Sequence, residues 1–217
     1  MMVQLSTEVN SLKNLFRPDS GLMIFMSQVT DCIFLSMFFM VGCMPVVTMG
    51  ASFAALYDAM YRGFRRGEKN TWIQFWKTYR RNWKASILPT LLFLVATYGL
   101  CYGLIQCWNG AVYGTISWSL FAGLTLVGMV LAGMLSLLFP MLSRFENPLG
   151  ALVKNTVVLA LANLPRTLAL GILNVVTVIL CERLIAPVFL LPGLAALIST
   201  VLIEPIFKPF MPEEAAD

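Results

Sequence analysis

Asp31 stands nine residues beyond Leu22 in a run that is otherwise apolar, and an ionised carboxylate at membrane depth costs about 2.5 to 3.5 kcal/mol on insertion scales. Such a group calls for a partner. Two roles fit it: a structural hydrogen-bond or ion-pair member near the inner interface, with Arg144 or Arg166 as counter-charge, or a residue on a cation or substrate pathway. Asn155, Asn163 and Asn174 are further polar groups in apolar surroundings, and Pro165, Pro187 and Pro192 are positioned to interrupt helices. Broken helices beside polar groups are how transporters expose backbone to a ligand, and polar side chains are also common glue between helices. Asp31, Asn163, Arg166 and Arg144 are therefore the candidate intramembrane polar site. Asp58 precedes Arg62 by four residues, the spacing of an ion pair on one helix face.

Other chemistry is missing. The chain has no histidine, which removes Ser-His-Asp and Cys-His nucleophile pairs, zincin motifs and imidazole proton relays together. No P-loop, GxGxxG, GxSxG or pair of carboxylates on one helix face is present. The five cysteines (Cys32, Cys43, Cys101, Cys107, Cys181) are odd in number and form no Cys-x-x-Cys pair. Packing thiols are the expectation, with a Cys101 to Cys107 disulfide as the alternative. No catalytic, cofactor-binding or metal-binding residue can be nominated, and the expectation is a protein that is not an enzyme.

A different surface is suggested by residues 62–84, which carry eight Lys and Arg against one acid, Glu68. On a helical wheel Trp72, Phe75, Trp76, Tyr79 and Trp83 share an arc of roughly 100°, with Lys77, Arg80, Arg81 and Lys84 on the adjoining flank. Such a segment is expected as an amphipathic helix along the inner leaflet, rings among the acyl chains and cations near anionic head groups. It serves either as an anchor or as a docking surface for a partner protein, and Trp72, Trp76, Lys77, Arg80, Arg81, Trp83 and Lys84 are the candidate contacts.

The elements that must position these residues follow from solvent. Of 217 residues 59% are hydrophobic and 12% charged, and 59 consecutive residues between Lys84 and Arg144 lack any Asp, Glu, Lys or Arg. Soluble domains are about 45 to 50% apolar and about 25% charged, so the excess apolar surface requires lipid. The predicted fold is all-α, a polytopic transmembrane bundle with an interfacial amphipathic helix. Six crossings are expected, near 22–43, 46–61, 86–107, 116–140, 167–181 and 184–204, with five or four as alternatives because the second and fifth are short. Residues 149–163 are too short to span and are expected at the inner surface or partly inserted. A single membrane domain, 22–208, then lies between an N-terminal cytoplasmic segment (1–21), which shows no cleavable signal, and an acidic tail (209–217). Counting Lys and Arg on this layout puts fourteen on one side and Arg183 alone on the other, which makes both termini cytoplasmic. Small residues at Ala51, Ala55 and Ala59, at Gly99 and Gly103, and at Gly128, Ala132 and Ser136 mark close helix contacts, within one bundle or between protomers. Thr48 and Ser52 are expected to satisfy backbone donors freed after Pro45.

Several blocks resemble one family. They are Leu15-Phe16-Arg17-Pro18-Asp19-Ser20-Gly21-Leu22-Met23, then Asp31, then Pro45-Val46-Val47-Thr48-Met49-Gly50-Ala51-Ser52 with Ala55-Leu56-Tyr57. Phe75-Trp76-Lys77, Asn82-Trp83-Lys84, Phe139-Pro140-Met141-Leu142-Ser143-Arg144-Phe145 and Ala160-Leu161-Ala162-Asn163-Leu164-Pro165-Arg166 continue the likeness over nearly the whole chain. The chain is similar to the YesL family, bacterial membrane proteins without an assigned biochemical activity. That resemblance implies a multi-pass protein of the bacterial cell membrane associated with carbohydrate uptake, and it supplies no catalytic or binding residues. The expected function is an accessory or regulatory partner of a carbohydrate ABC uptake system, with the anionic inner leaflet and a sugar ABC transporter permease as partners and no nucleic acid. The alternatives are a small-solute subunit resembling the six-helix substrate-binding components of transporters, and a membrane-surface sensor built on 72–84.

Overall fold

Runs of apolar residues with few helix breakers leave the backbone one economical solution in hydrocarbon, which is to bond to itself within a helix. The computed structural model describes residues 21–114, 118–144, 149–183 and 189–207. They form seven α-helices: α1 Gly21–Cys43, α2 Met49–Met60, α3 Thr71–Val112, α4 Trp118–Arg144, α5 Leu149–Ala162, α6 Leu164–Arg183 and α7 Leu191–Phe207. No strand occurs among the described residues. Residues 1–20 of the predicted N-terminal segment (1–21) and the whole predicted tail (209–217) lie outside them.

α2 sits at the centre. Its Ala51, Ala54, Ala55 and Ala59 are all 0% exposed, so the predicted small-residue seam is a packed contact, and it brings α2 against α1, α3, α4 and α7. A Cβ on Gly50 would run into the Phe139 ring and the Thr90 hydroxyl, so glycine is what lets α2, α3 and α4 meet. The turn after Pro45 is a short 3-10 segment, Val46–Thr48. There the Thr48 hydroxyl donates to the carbonyls of Gly42 (3.0 Å) and Pro45 (2.9 Å), and Ser52 donates to that of Thr48 (3.3 Å). The expectation that these hydroxyls would satisfy freed donors is thus reversed: they donate to carbonyls, that of Gly42 near the end of α1 and those of Pro45 and Thr48 in the turn that follows. Beyond α2 a wide turn, Tyr61–Arg65, leads through Gly67 and Asn70, both left-handed (φ 64° and 66°), into α3.

α3 corrects the sequence reading most. Residues 72–84 are not a separate interfacial helix; they are the first half of a helix of 42 residues. At 1.5 Å per residue it is about 63 Å long, twice the roughly 30 Å hydrocarbon thickness. The change from charged to apolar after Lys84 marks a change of solvent and not the end of the helix, which continues through Pro89 although that residue has no N–H to give the Ala85 carbonyl. The helix also runs on to Val112, so Trp108 and Asn109 belong to α3 and not to the following turn.

α3 and α4 form a hairpin closed by Trp108 against Trp118 (5.7 Å between ring centroids). Its outer face shows Val95, Tyr98, Tyr102, Ile105, Leu126 and Val127, each more than half exposed. That is an apolar surface of the kind a bilayer covers. Four helices (α1, α3, α4, α6) are long and apolar enough to cross a membrane. α7 has 17 residues, α5 14 and α2 12, so a six-crossing layout would ask α2 to span with about 18 Å of helix. Four lies within the range allowed by sequence. The five cysteines are free, and only Cys32 is buried, so the Cys101 to Cys107 bridge is not formed and most of the thiols are not core packing groups.

Gly133 and Gly171 bring α4 and α6 into backbone contact: an added Cβ would strike the carbonyl oxygen of Thr167 in one case and of Met129 in the other. Gly99 of the predicted GxxxG pair faces open space, while Gly103 packs towards Leu124. Gly133→Ala is therefore expected to lower stability by about 1 to 3 kcal/mol, and Gly99→Ala to change it by less than about 0.5 kcal/mol. Reversible unfolding of the detergent-solubilised variants checks the pair.

Candidate functional site

Two groups of charged side chains are brought together by the packing of these apolar helices. Asp58, near the end of α2 and 3% exposed, accepts Arg62 Nε at 3.1 Å and the Thr78 hydroxyl at 2.6 Å. The predicted Asp58 to Arg62 pair is present, and Thr78 of α3 joins it. Arg62 also approaches Glu68 at 3.7 Å. Burial works against the Arg62 charge, but Asp58 and Glu68 outweigh it and raise its pKa above the ordinary arginine value.

A second cluster lies alongside. Arg144, at the end of α4, meets Glu204 of α7 with both guanidinium branches, 2.7 Å and 3.4 Å. Tyr57 of α2 donates its hydroxyl to the same carboxylate at 2.9 Å. The Arg144 guanidinium lies 3.8 Å from the Tyr61 ring centroid and 5.6 Å from that of Tyr57, so the charge is covered by aromatic faces as well as by its counter-ion. Arg81 of α3 donates to the Ser143 carbonyl, placing a cation at the C-terminal end of α4. One arginine, one glutamate and two tyrosines thereby tie α2, α4 and α7 at one end of the bundle.

The predicted polar site is not assembled. Arg144 is committed to Glu204, so it is not the counter-charge of Asp31. Asp31 is half-buried on α1 and makes no ion pair among the described residues. Asn163 donates to Leu159 within its own turn (3.2 Å), and Arg166 is exposed on α6. The residue that sequence reasoning missed is Glu204. It stands in an apolar C-terminal stretch much as Asp31 does in the first helix, and the same signal would have flagged it. Asn174 does act as helix glue: its amide donates to Leu170 and Ala132 carbonyls and to the Ser136 hydroxyl across α4 and α6.

The candidate docking residues divide in two. Phe75 is 0% exposed; Trp76 packs edge-on against Phe38 at 5.9 Å, and Tyr79 joins the same aromatic group. These three rings are held by α1 and α2, not by acyl chains, because the predicted amphipathic face found protein to cover it. Trp72 and Trp83 remain about half exposed, with the Lys84 amine 5.5 Å from the Trp83 ring centroid, and Lys77, Arg80, Arg81 and Lys84 are exposed along the flank. The result is a rigid basic ledge fastened to the bundle from behind.

A cavity of about 240 Å³ opens between α1, α2, α4, α6 and α7, with Phe39, Phe53 and Phe139 on its walls beside Ser136, Asn174 and Ser199. Among the described residues no group of three His, Cys, Asp or Glu is placed to hold a metal ion.

Glu204→Gln is expected to destabilise the protein by on the order of 3 kcal/mol, since it removes the carboxylate charge that the largely buried Arg144 guanidinium is paired with. Tyr57→Phe should cost about 1 kcal/mol. In the double variant Arg144→Gln/Glu204→Gln part of the larger loss should return. Unfolding in detergent, run as a double-mutant cycle, measures the coupling; strictly additive losses would show that the pair does not lock the helices.

A family model described as a protein of unknown function, DUF624, matches residues 32–104, about a third of the chain. The match runs from the packed half of α1 through α2 to the membrane half of α3, which includes the Asp58 cluster and the basic ledge. No curated protein and no solved structure matches the chain.

Proposed function

We propose that this chain is a YesL-type accessory subunit of the bacterial cell membrane, which docks on and stabilises or regulates a carbohydrate ABC uptake system. The observation that carries the reading is the ledge. α3 continues unbroken for 42 residues, and its first half presents Trp72, Lys77, Arg80, Trp83 and Lys84 to a partner while Phe75 is sunk in the bundle. Exposed tryptophan beside arginine is the composition of binding hot spots, and a surface already fixed in position spends little ordering entropy on docking. The excess of Lys and Arg at this end supports a cytoplasmic face and cytoplasmic termini. The family resemblance supports carbohydrate uptake as the setting, and the absence of a P-loop is compatible with a protein that leaves energy coupling to others.

A small-solute subunit is the second reading, favoured by the 240 Å³ cavity. Cross-linking in native membranes followed by purification in mild detergent separates the two. The accessory reading expects an ABC permease subunit to be recovered with the wild-type chain. It expects that subunit to be lost with the combined substitutions Lys77→Gln, Arg80→Gln and Lys84→Gln, with membrane insertion unchanged. Failure to recover any transporter subunit at native expression would overturn it, and specific uptake of a solute by the purified protein in liposomes would favour the second reading. A substituted protein that inserts, still captures the permease and works fully would remove the ledge from either role.

A further inference from the structure

We propose that the cavity between α1, α2, α4, α6 and α7 binds a small uncharged amphiphile: an apolar body carrying a hydroxyl that donates a hydrogen bond to the Asn174 side-chain oxygen. The site is larger than the roughly 150 Å³ apolar cavity that takes up benzene, at about 240 Å³. Its walls are mainly aromatic and aliphatic, and no charged side chain lines it. Small-molecule sites have this make-up, with a few polar groups fixing orientation.

The ligand's polarity follows from where the protons go. The two protons of the Asn174 amide nitrogen serve the Leu170 carbonyl (2.9 Å) and the Ser136 hydroxyl, with the more distant Ala132 carbonyl (3.4 Å) sharing one of them. Backbone carbonyls only accept, so the nitrogen must face them, and the side-chain oxygen is left without a donor among the described residues. Thr177 gives its hydroxyl proton to the Leu173 carbonyl (2.7 Å), Ser199 to that of Ala196 (2.6 Å) and Tyr57 to Glu204 (2.9 Å). The protons of Thr177, Ser199 and Tyr57 are thus already placed, so the Asn174 oxygen calls for a donor, and a ligand hydroxyl supplies one while its own oxygen can accept from Ser136. Ser136 keeps the remaining hydroxyl proton. A carbohydrate is a poor fit, because each of its many hydroxyls would need a partner that these walls lack. The inference is independent of the accessory reading, which rests on the exposed flank of α3 and uses none of the residues that line the cavity.

The test uses the full chain in phosphatidylcholine and phosphatidylglycerol nanodiscs, photolabelled with a decanol analogue bearing an aliphatic diazirine and mapped by mass spectrometry. Labelling is expected to saturate and to concentrate on the peptides of Phe53 and Asn174, relative to Val95, Tyr98 and Ile105 on the outer face. Decanol should compete about three- to tenfold better than its methyl ether or decane, the ratio for one net hydrogen bond. Ala195→Trp, which fills the cavity from α7, should abolish this labelling and leave the outer face unchanged; if that variant does not insert, Ala195→Leu should reduce it. Labelling that fails to saturate, or that is equal on both surfaces, would mean ordinary lipid contact and overturn the site. Equal competition by alcohol and ether would overturn the assignment of a hydroxyl donor.

Discussion

The close approach of backbones around α2 is the contact on which the other helices depend. A twelve-residue helix whose Ala51, Ala54, Ala55 and Ala59 are fully buried can touch four neighbours only because none of these side chains holds them away. Hydrocarbon gives no hydrophobic reward for bringing apolar helices together, so van der Waals contact between small residues and a few interhelical hydrogen bonds must supply the association. Gly50, Gly133 and Gly171 extend the same logic to α4 and α6, where side chains or backbone carbonyls occupy the space of a missing Cβ.

Polar side chains then select one arrangement from the many that small residues would allow. Asp58 is met by a residue of its own helical face and by Thr78 of α3, and Glu204 is met by Arg144 of α4 and Tyr57 of α2. Ion pairs of this kind contribute modest net stability because desolvation offsets attraction, yet a mispacked helix that left one charge alone would be heavily penalised. The clusters thus act on register: they fix which turn of α7 faces α2 and which turn of α3 faces Asp58.

The two surfaces with functional promise are consequences of that packing. α3 is a single rod passing between two solvents, so its basic half is carried rigidly by its apolar half and by the rings of Phe75, Trp76 and Tyr79. The cavity is walled by residues of α1, α2, α4, α6 and α7, beside the Asn174 amide that ties α6 to α4.

Composition alone determined that this chain is helical and bounded by lipid, since side-chain solvation and backbone satisfaction are local properties summed along the sequence. It also marked the α2 seam, the Asp58 to Arg62 pair four residues apart and Asn174 as helix glue, which periodicity makes visible. Whether the aromatic arc of 72–84 meets lipid or Phe38, whether Arg144 answers Asp31 or Glu204, and whether residues 84 and 86 belong to one helix or two were decided by tertiary structure. A hydrophobic face records what it avoids and not what covers it, and a charge records that it needs a partner without naming one, because partners 60 residues apart in sequence are chosen by the packing of the helices that carry them.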